Sequence, residues 1–433
     1  MEPSELQAFR RWNGLSSNEV ILLRPKPITR QDAFDGDYDY LVNPRSFARL
    51  YFYALQAGRE ASTPVVVNQN APRKRVLTFG SKTGQQIKCE LWPHAELVGP
   101  DGRKTTIHWQ DLQKLAFQTE SLRTALAAIY VTHLHYKNKD LNSPEVNWRL
   151  NWFKANLHGF HSAASSDISA TLDDLAGGRT DKRNANISAL QVLERLDLTP
   201  SPDMRGQALG KYKKLTKLAP RQLRRHAIMP VVGPDGVGKT TIVKGFVQAE
   251  GSGHRSAKFK RLFRHWAGMK PAYLINKVFP GAFCDQGGPL KKNEVDERFS
   301  WAAILVATLT YRFLQLSILV QPLRSKPSQV ALDRFFWDYL VKPRASTDAL
   351  MPTPGARWLV RITPKPKKIV ICVAAPALIR SRKRELTSSV IEGLYEHYVS
   401  LLAGNRATSA LFLPCDNNLE DEVASLIEYA NFD

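Results

Sequence analysis

One stretch in the second half of the chain has the residue types and spacing of a phosphate grip. Gly233-Pro234-Asp235-Gly236-Val237-Gly238-Lys239-Thr240 fits G-x-x-x-x-G-K-S/T without a gap. Glycines let the backbone turn tightly and aim several N–H groups at one anion. The run that follows, TIVKGFVQ, is compatible with a helix whose positive N-terminal end would add to that field. Lys239 would reach the β- and γ-phosphates of a nucleotide, and Thr240 would offer a hydroxyl to Mg²⁺. Gly233, Asp235, Gly236, Gly238, Lys239, Thr240 and Thr241 are thus the expected nucleotide contacts, with ATP and Mg²⁺ as cofactors. The structural alternative is an ordinary glycine-rich turn from strand to helix.

Other residues could work with such a loop. Asp333-Arg334 closes the apolar run QVAL. An arginine at a strand's C-terminal end can hold an acceptor phosphate bidentately, and Asp333 could orient Mg²⁺ or its water. The alternative is an ion pair that only holds a loop. In the first half, Asp37 and Asp39 alternate within GDYDYLV, which reads as a strand and sends both to one face. Glu90 lies in a second strand-like run, IKCELW. His133 and His135 fall two apart on an expected helix, so they do not share a face and read as packing or surface residues. His94, just after ELWP, reads as a loop residue.

The elements that must position these groups fall into three blocks. Residues 1–115 mix short apolar runs with turn signals at Gly80-Ser81 and Asp101-Gly102, the pattern of an α/β block. Residues 116–222 are mostly helical, with helical spacing in FQTESLRTALAAIYVTHLHY, a loop expected around LAGGRTDKRNAN, and a closing basic segment, Lys211–Arg225. From residue 223 to 433 compact apolar runs (IMPVV, QVAL, KKIVICV, SALFLP) alternate with helix-length segments, which indicates a parallel sheet with crossover helices. The chain carries a net charge of +21, which must attract anions: nucleotides, nucleic acid, acidic glycans or an anionic membrane face. The four cysteines are far apart, form no metal or redox pattern, and suit a reducing cytoplasm. The N-terminus shows no apolar leader. Residues 301–323 are nearly long enough to span a bilayer, but Arg312 at their middle favours a buried core helix.

Asp235 inside the glycine loop makes the pattern G-x-D-G-x-G-K-S/T, which resembles the thymidylate kinase family, where the acidic loop residue faces the acceptor's sugar. The run Leu332-Asp333-Arg334-Phe335-Phe336-Trp337-Asp338 resembles that family's Asp-Arg-aromatic motif, and its extension resembles a bacterial subgroup found with polysaccharide genes, with Lys342 where that subgroup usually has Asp. Ala375 to Glu385 resembles the family's lid, whose arginines close over the donor phosphates. Val237 takes the place of a loop arginine, so the lid must supply the cation: Arg382 aligns best, with Arg380, Lys383 and Arg384 as substitutes. Ala374 stands where relatives often carry an acid. GDYDYLV with ELW resembles the minimal nucleotidyltransferase fold, where two acids on one strand and one on its neighbour (here Asp37, Asp39 and Glu90) hold two metal ions. Its upstream Gly-Ser pair is missing, so nucleotidyltransferase activity is left open.

The resemblance implies an α/β protein: a P-loop NTPase parallel sheet of nucleoside monophosphate kinase type, preceded by a nucleotidyltransferase-like domain and a helical connector. It implies an ATP-dependent phosphotransferase with Lys239, Asp333, Arg334 and Arg382 as catalytic residues and a dTMP-like nucleoside monophosphate as acceptor. A sugar or glycan acceptor in surface polysaccharide assembly, an oligonucleotide end and a nucleotide switch that phosphorylates nothing are alternatives. A cytoplasmic protein, peripheral to an acidic membrane or polymer, fits the charge, and the family often dimerises.

Overall fold

The computed structural model describes residues 2–24, 37–69, 74–81, 84–99, 102–115, 117–198, 201–202, 228–249, 255–258, 330–333, 335–339, 341–344, 347–352, 366–383, 386–404, 407–416 and 418–431. The apolar run 301–323, the basic segment 211–225, Arg334 and Arg384 lie outside the described residues. Among the described residues no helix is long and apolar enough to cross a membrane.

The first block builds its core by strict alternation. Helix α1 (Ser4–Ser16) is followed by strands β1 (Val20–Leu22) and β2 (Asp37–Val42), then helix α2 (Phe47–Glu60). Strands β3 (Val65–Asn68), β4 (Arg75–Phe79) and β5 (Ile87–Trp92) complete the unit. Tyr38, Tyr40, Val65, Val67, Leu77, Phe79, Ile87, Cys89 and Leu91 occupy alternate positions and are buried in one core. α1 and α2 seal it with Phe9, Trp12, Leu50 and Tyr51, and the Trp12 indole N–H donates to Leu50 O at 3.1 Å. The other face of these strands therefore carries Asp37, Asp39, Lys88 and Glu90, with Asp37 beside Lys88 and Asp39 beside Glu90 in the parallel β2–β5 register.

The middle of the chain has its own core. Strands β6 (His94–Val98) and β7 (Lys104–His108) lead into α3 (Trp109–Lys114), and four longer helices follow: α4 (Thr119–Tyr136), α5 (Pro144–Leu157), α6 (Ala163–Ala176) and α7 (Lys182–Arg195). α4 is apolar nearly all round because α5, α6, α7 and β6 surround it. Ala95, Leu97, Ile107, Trp109 and Leu112 pack into this same core, and β7 pairs with β8 (Ser201–Pro202). β6, β7 and α3 therefore pack with these helices, and Leu23 and Leu41 from the first block reach into the same core. His94 is not a loop residue; it opens β6, opposite His108. The loop expected around residues 175–186 is also shorter, because the Asp181 side chain accepts from Asn184 N at 2.8 Å and caps α7.

The last block supplies parallel strands β9 (Ile228–Val232), β10 (Arg255–Lys258), β11 (Val330–Asp333), β14 (Lys368–Val373) and β15 (Ser409–Pro414), with a hairpin of β12 (Val341–Arg344) and β13 (Thr347–Pro352). Its described helices are α8 (Lys239–Gln248), α9 (Pro376–Arg382), α10 (Ser388–Ala403) and α11 (Leu419–Asn431). β15 pairs antiparallel with β3, so the first and last blocks form one mixed sheet of ten strands, ordered β1-β2-β5-β4-β3-β15-β14-β9-β11-β10. One hydrophobic core runs across that seam. α10 packs on α2, where Arg59 and Glu392 form an ion pair at 2.7 Å, and α11 packs on α8.

Candidate functional sites

The glycine loop, residues 233–238, joins the end of strand β9 to the start of α8. Gly238 caps the helix with φ +108°, a value that L side chains rarely adopt. Gly233 has no room for a side chain, since a Cβ there would sit 2.7 Å from Cys372 O on the neighbouring strand. Val237 is fully buried. The Lys239 ammonium folds over the loop and donates to Gly233 O and, at 2.8 Å, to Pro234 O. It is almost wholly buried, so these carbonyls take the place of water.

Asp333 ends β11 beside β9, and its Oδ2 accepts from the Thr240 hydroxyl at 2.9 Å. Its Oδ1 is buried with no hydrogen-bond partner among the described atoms. An unpaired carboxylate oxygen in such a place is costly unless a cation or ordered water meets it. Arg382, from α9, reaches back over the loop: Nη1 donates to Val237 O at 3.3 Å and to Cys415 O at 3.4 Å. Asp235 lies between two ammonium groups, Lys239 at 3.6 Å and Lys383 at 3.4 Å. Together Asp235 to Ile242, Arg382, Lys383, Cys415 and Glu422 line an open cavity of about 440 Å³. Thr241 is exposed on the first turn of α8, and Arg380 is exposed on α9.

Two supports of this site were not legible beforehand. Asp338 accepts from Phe335 N at 3.2 Å and from the Tyr398 hydroxyl at 2.7 Å, so α10 anchors the chain just past Asp333. The Tyr395 hydroxyl accepts from Ala374 N at 2.9 Å and fixes the corner between β14 and α9. Burial pushes both phenols well above the usual tyrosine range, so they stay neutral donors.

The acid-bearing face of β2 and β5 forms the second site. Asp39 and Glu90 adjoin in register, as the alternation requires, whereas Asp37 is exposed at the strand's start. Each inner acid is already met by a cation. Arg24 pairs with Asp39 Oδ2 while the Trp92 indole N–H donates to Oδ1 at 3.1 Å, and Lys74 pairs with Glu90. Burial raises the Glu90 pKa, with the Lys74 hydrogen bond opposing it. Arg24 also meets His133 Nε2 at 2.9 Å. Arginine only donates, so Nε2 accepts and His133 is neutral; burial, with Arg24 beside it, pushes its pKa down to about 3. His133 is therefore more than a packing residue: it lines the cavity above the acids. Among the described residues no group of three or more His, Cys, Asp or Glu is arranged to hold a metal ion, so Asp37, Asp39 and Glu90 do not come together as the expected triad.

The expected residues thus fall into two separate groups on one sheet. Gly233 to Thr241, Asp333 and Arg382 are brought together at the loop; Asp39 and Glu90 are brought together at the other end. No protein-family model matches the chain, and no curated protein matches it either.

Proposed function

We propose that the protein is an ATP-dependent phosphotransferase of the thymidylate kinase-like class, with its donor site on the glycine loop. The observation that supports this most is the meeting of Thr240 with Asp333 beneath that loop. A hydroxyl on the first turn of α8 and a half-satisfied buried carboxylate at the end of β11, held together, suit a hydrated magnesium ion. The positive-φ glycines and the N-terminus of α8 suit a polyphosphate. When bound, magnesium would neutralise charge on the phosphates.

The chain's own groups would do the rest. Lys239 would exchange the carbonyls of Gly233 and Pro234 for phosphate oxygens. Arg382 would deliver its guanidinium to the transferring group, where a cation stabilises developing charge. Asp338 and Tyr398 would hold the segment that follows Asp333 in place. The acceptor would approach from the Asp235 side; a nucleoside monophosphate such as dTMP is the first candidate, as the resemblance implies.

The test is an acceptor screen with labelled ATP and Mg²⁺, offering dTMP, a glycan fraction and an oligonucleotide end. Label should appear on one acceptor and be lost in Lys239→Ala. Labelling that survives this substitution, or folded protein that binds neither ATP nor GTP with magnesium in calorimetry, overturns the assignment.

A further inference from the structure

We propose that the cavity between the acid-bearing strands and α4 is a metal-independent binding site for a small phosphomonoester carrying a planar ring, of about the size of a nucleoside monophosphate. The resemblance to a nucleotidyltransferase fold implies two divalent cations here, and the residues present do not fit them. Asp39 is 5% exposed and both of its oxygens are engaged, by Arg24 and by Trp92. Glu90 is held by Lys74. A divalent ion at these acids would strand Arg24 and Lys74 as partly buried cations beside a double positive charge, which costs several kcal/mol. The two organic cations occupy the electrostatic role of the metals.

What is left over faces the cavity. Its volume is about 370 Å³, the scale of small-molecule sites. Four cations line it (Arg24, Lys74, Lys137 and Lys139) against three carboxylates (Asp39, Glu90 and Glu96). With Asp39 and Glu90 neutralised by their partners, Lys137 and Lys139 at the end of α4 are the charges that can meet an incoming anion. Both are exposed, so they can turn to a phosphate. Trp92 and Tyr136 supply flat walls, each already in contact with a cation: Lys74 lies 5.2 Å from the Trp92 ring and Lys137 lies 5.0 Å from the Tyr136 ring. Aromatic walls with a cationic rim select an anion that also carries a planar ring.

The experiment is titration calorimetry on full-length Lys239→Ala protein with adenosine monophosphate as the probe; the substitution weakens the donor grip, and the lysine variant described below separates this cavity from the acceptor side of the glycine loop. Saturable binding is expected in EDTA, changing less than about two-fold when Mn²⁺ replaces EDTA. Adenosine without its phosphate should not bind. Adding Lys137→Ala and Lys139→Ala, both on the exposed surface, should weaken binding by about ten-fold or more, as loss of charge-assisted hydrogen bonds does. Binding that appears only with Mn²⁺, no binding in EDTA, or equal binding by the lysine double variant overturns the proposal. None of these outcomes bears on transfer by the wild-type glycine loop.

Discussion

The two ends of the ten-stranded sheet handle buried charge in opposite ways. At the glycine loop, Asp333 keeps one buried oxygen without a partner among the described atoms, while Lys239 rests on backbone carbonyls that a stronger anion can replace. At the acid-bearing strands, Asp39 has a partner on each oxygen and Glu90 has Lys74. In the function proposed above, the first arrangement would take a ligand that brings its own charge. The second has closed its electrostatics from within, since each acid is paired inside the fold.

Substitutions at the paired aspartates give the widest separation. Asp333→Ala should cut phosphoryl transfer by roughly 10²–10³-fold, while urea unfolding shifts by less than about 1 kcal/mol, since it relieves an unpaired carboxylate. Asp39→Ala should do the reverse: transfer per folded molecule stays unchanged, and stability falls by about 3 kcal/mol as Arg24 loses its partner. If Asp39→Ala stops transfer in folded protein, the two sites share a mechanism and the contrast fails.

Acid sharpens the comparison next. Burial, first of all, pushes the pKa of His133 down to about 3 and that of His397, on α10, down to about 4. In the unfolded chain both return to about 6.5, so the unfolded state binds more protons as pH falls below that value. Stability should therefore drop between pH 7 and pH 5, by about 1–2 kcal/mol for each histidine. His133→Asn, which keeps an acceptor for Arg24, should flatten part of that slope in urea unfolding at the two pH values. An unchanged slope would mean His133 is not held neutral.

The smallest effect concerns the seam that joins the two regions. Arg59→Ala removes the ion pair to Glu392 and should cost about 1 kcal/mol, within a single unfolding transition seen by all probes. Two separate transitions would show that the first and last blocks unfold independently despite their shared sheet.

Much of this was legible in order along the chain. The loop from Gly233 to Thr240 is contiguous, and its glycines have positive φ where the turn needs them. The alternation in Asp37–Val42 and Ile87–Trp92 places Asp39 beside Glu90 because a strand's faces repeat every second residue. The apolar runs in the last block become parallel strands for the same reason that they alternate with helices. The partners of the acids were not legible: Arg24 and Lys74 come from separate segments, and nothing local marks either as facing a carboxylate, or His133 as the acceptor for Arg24.

Local pattern alone thus determined the strands that carry the acids, the helix after the glycine loop, and which acids share a face, because backbone geometry repeats with a short period. Tertiary structure alone decided that the first and last blocks share a sheet, that β6, β7 and α3 pack with the helices of the middle block, and that one acid pair is neutralised while Asp333 is not. Those outcomes depend on contacts between residues far apart in the chain, and burial makes each unpaired charge there too costly to be left to local preference.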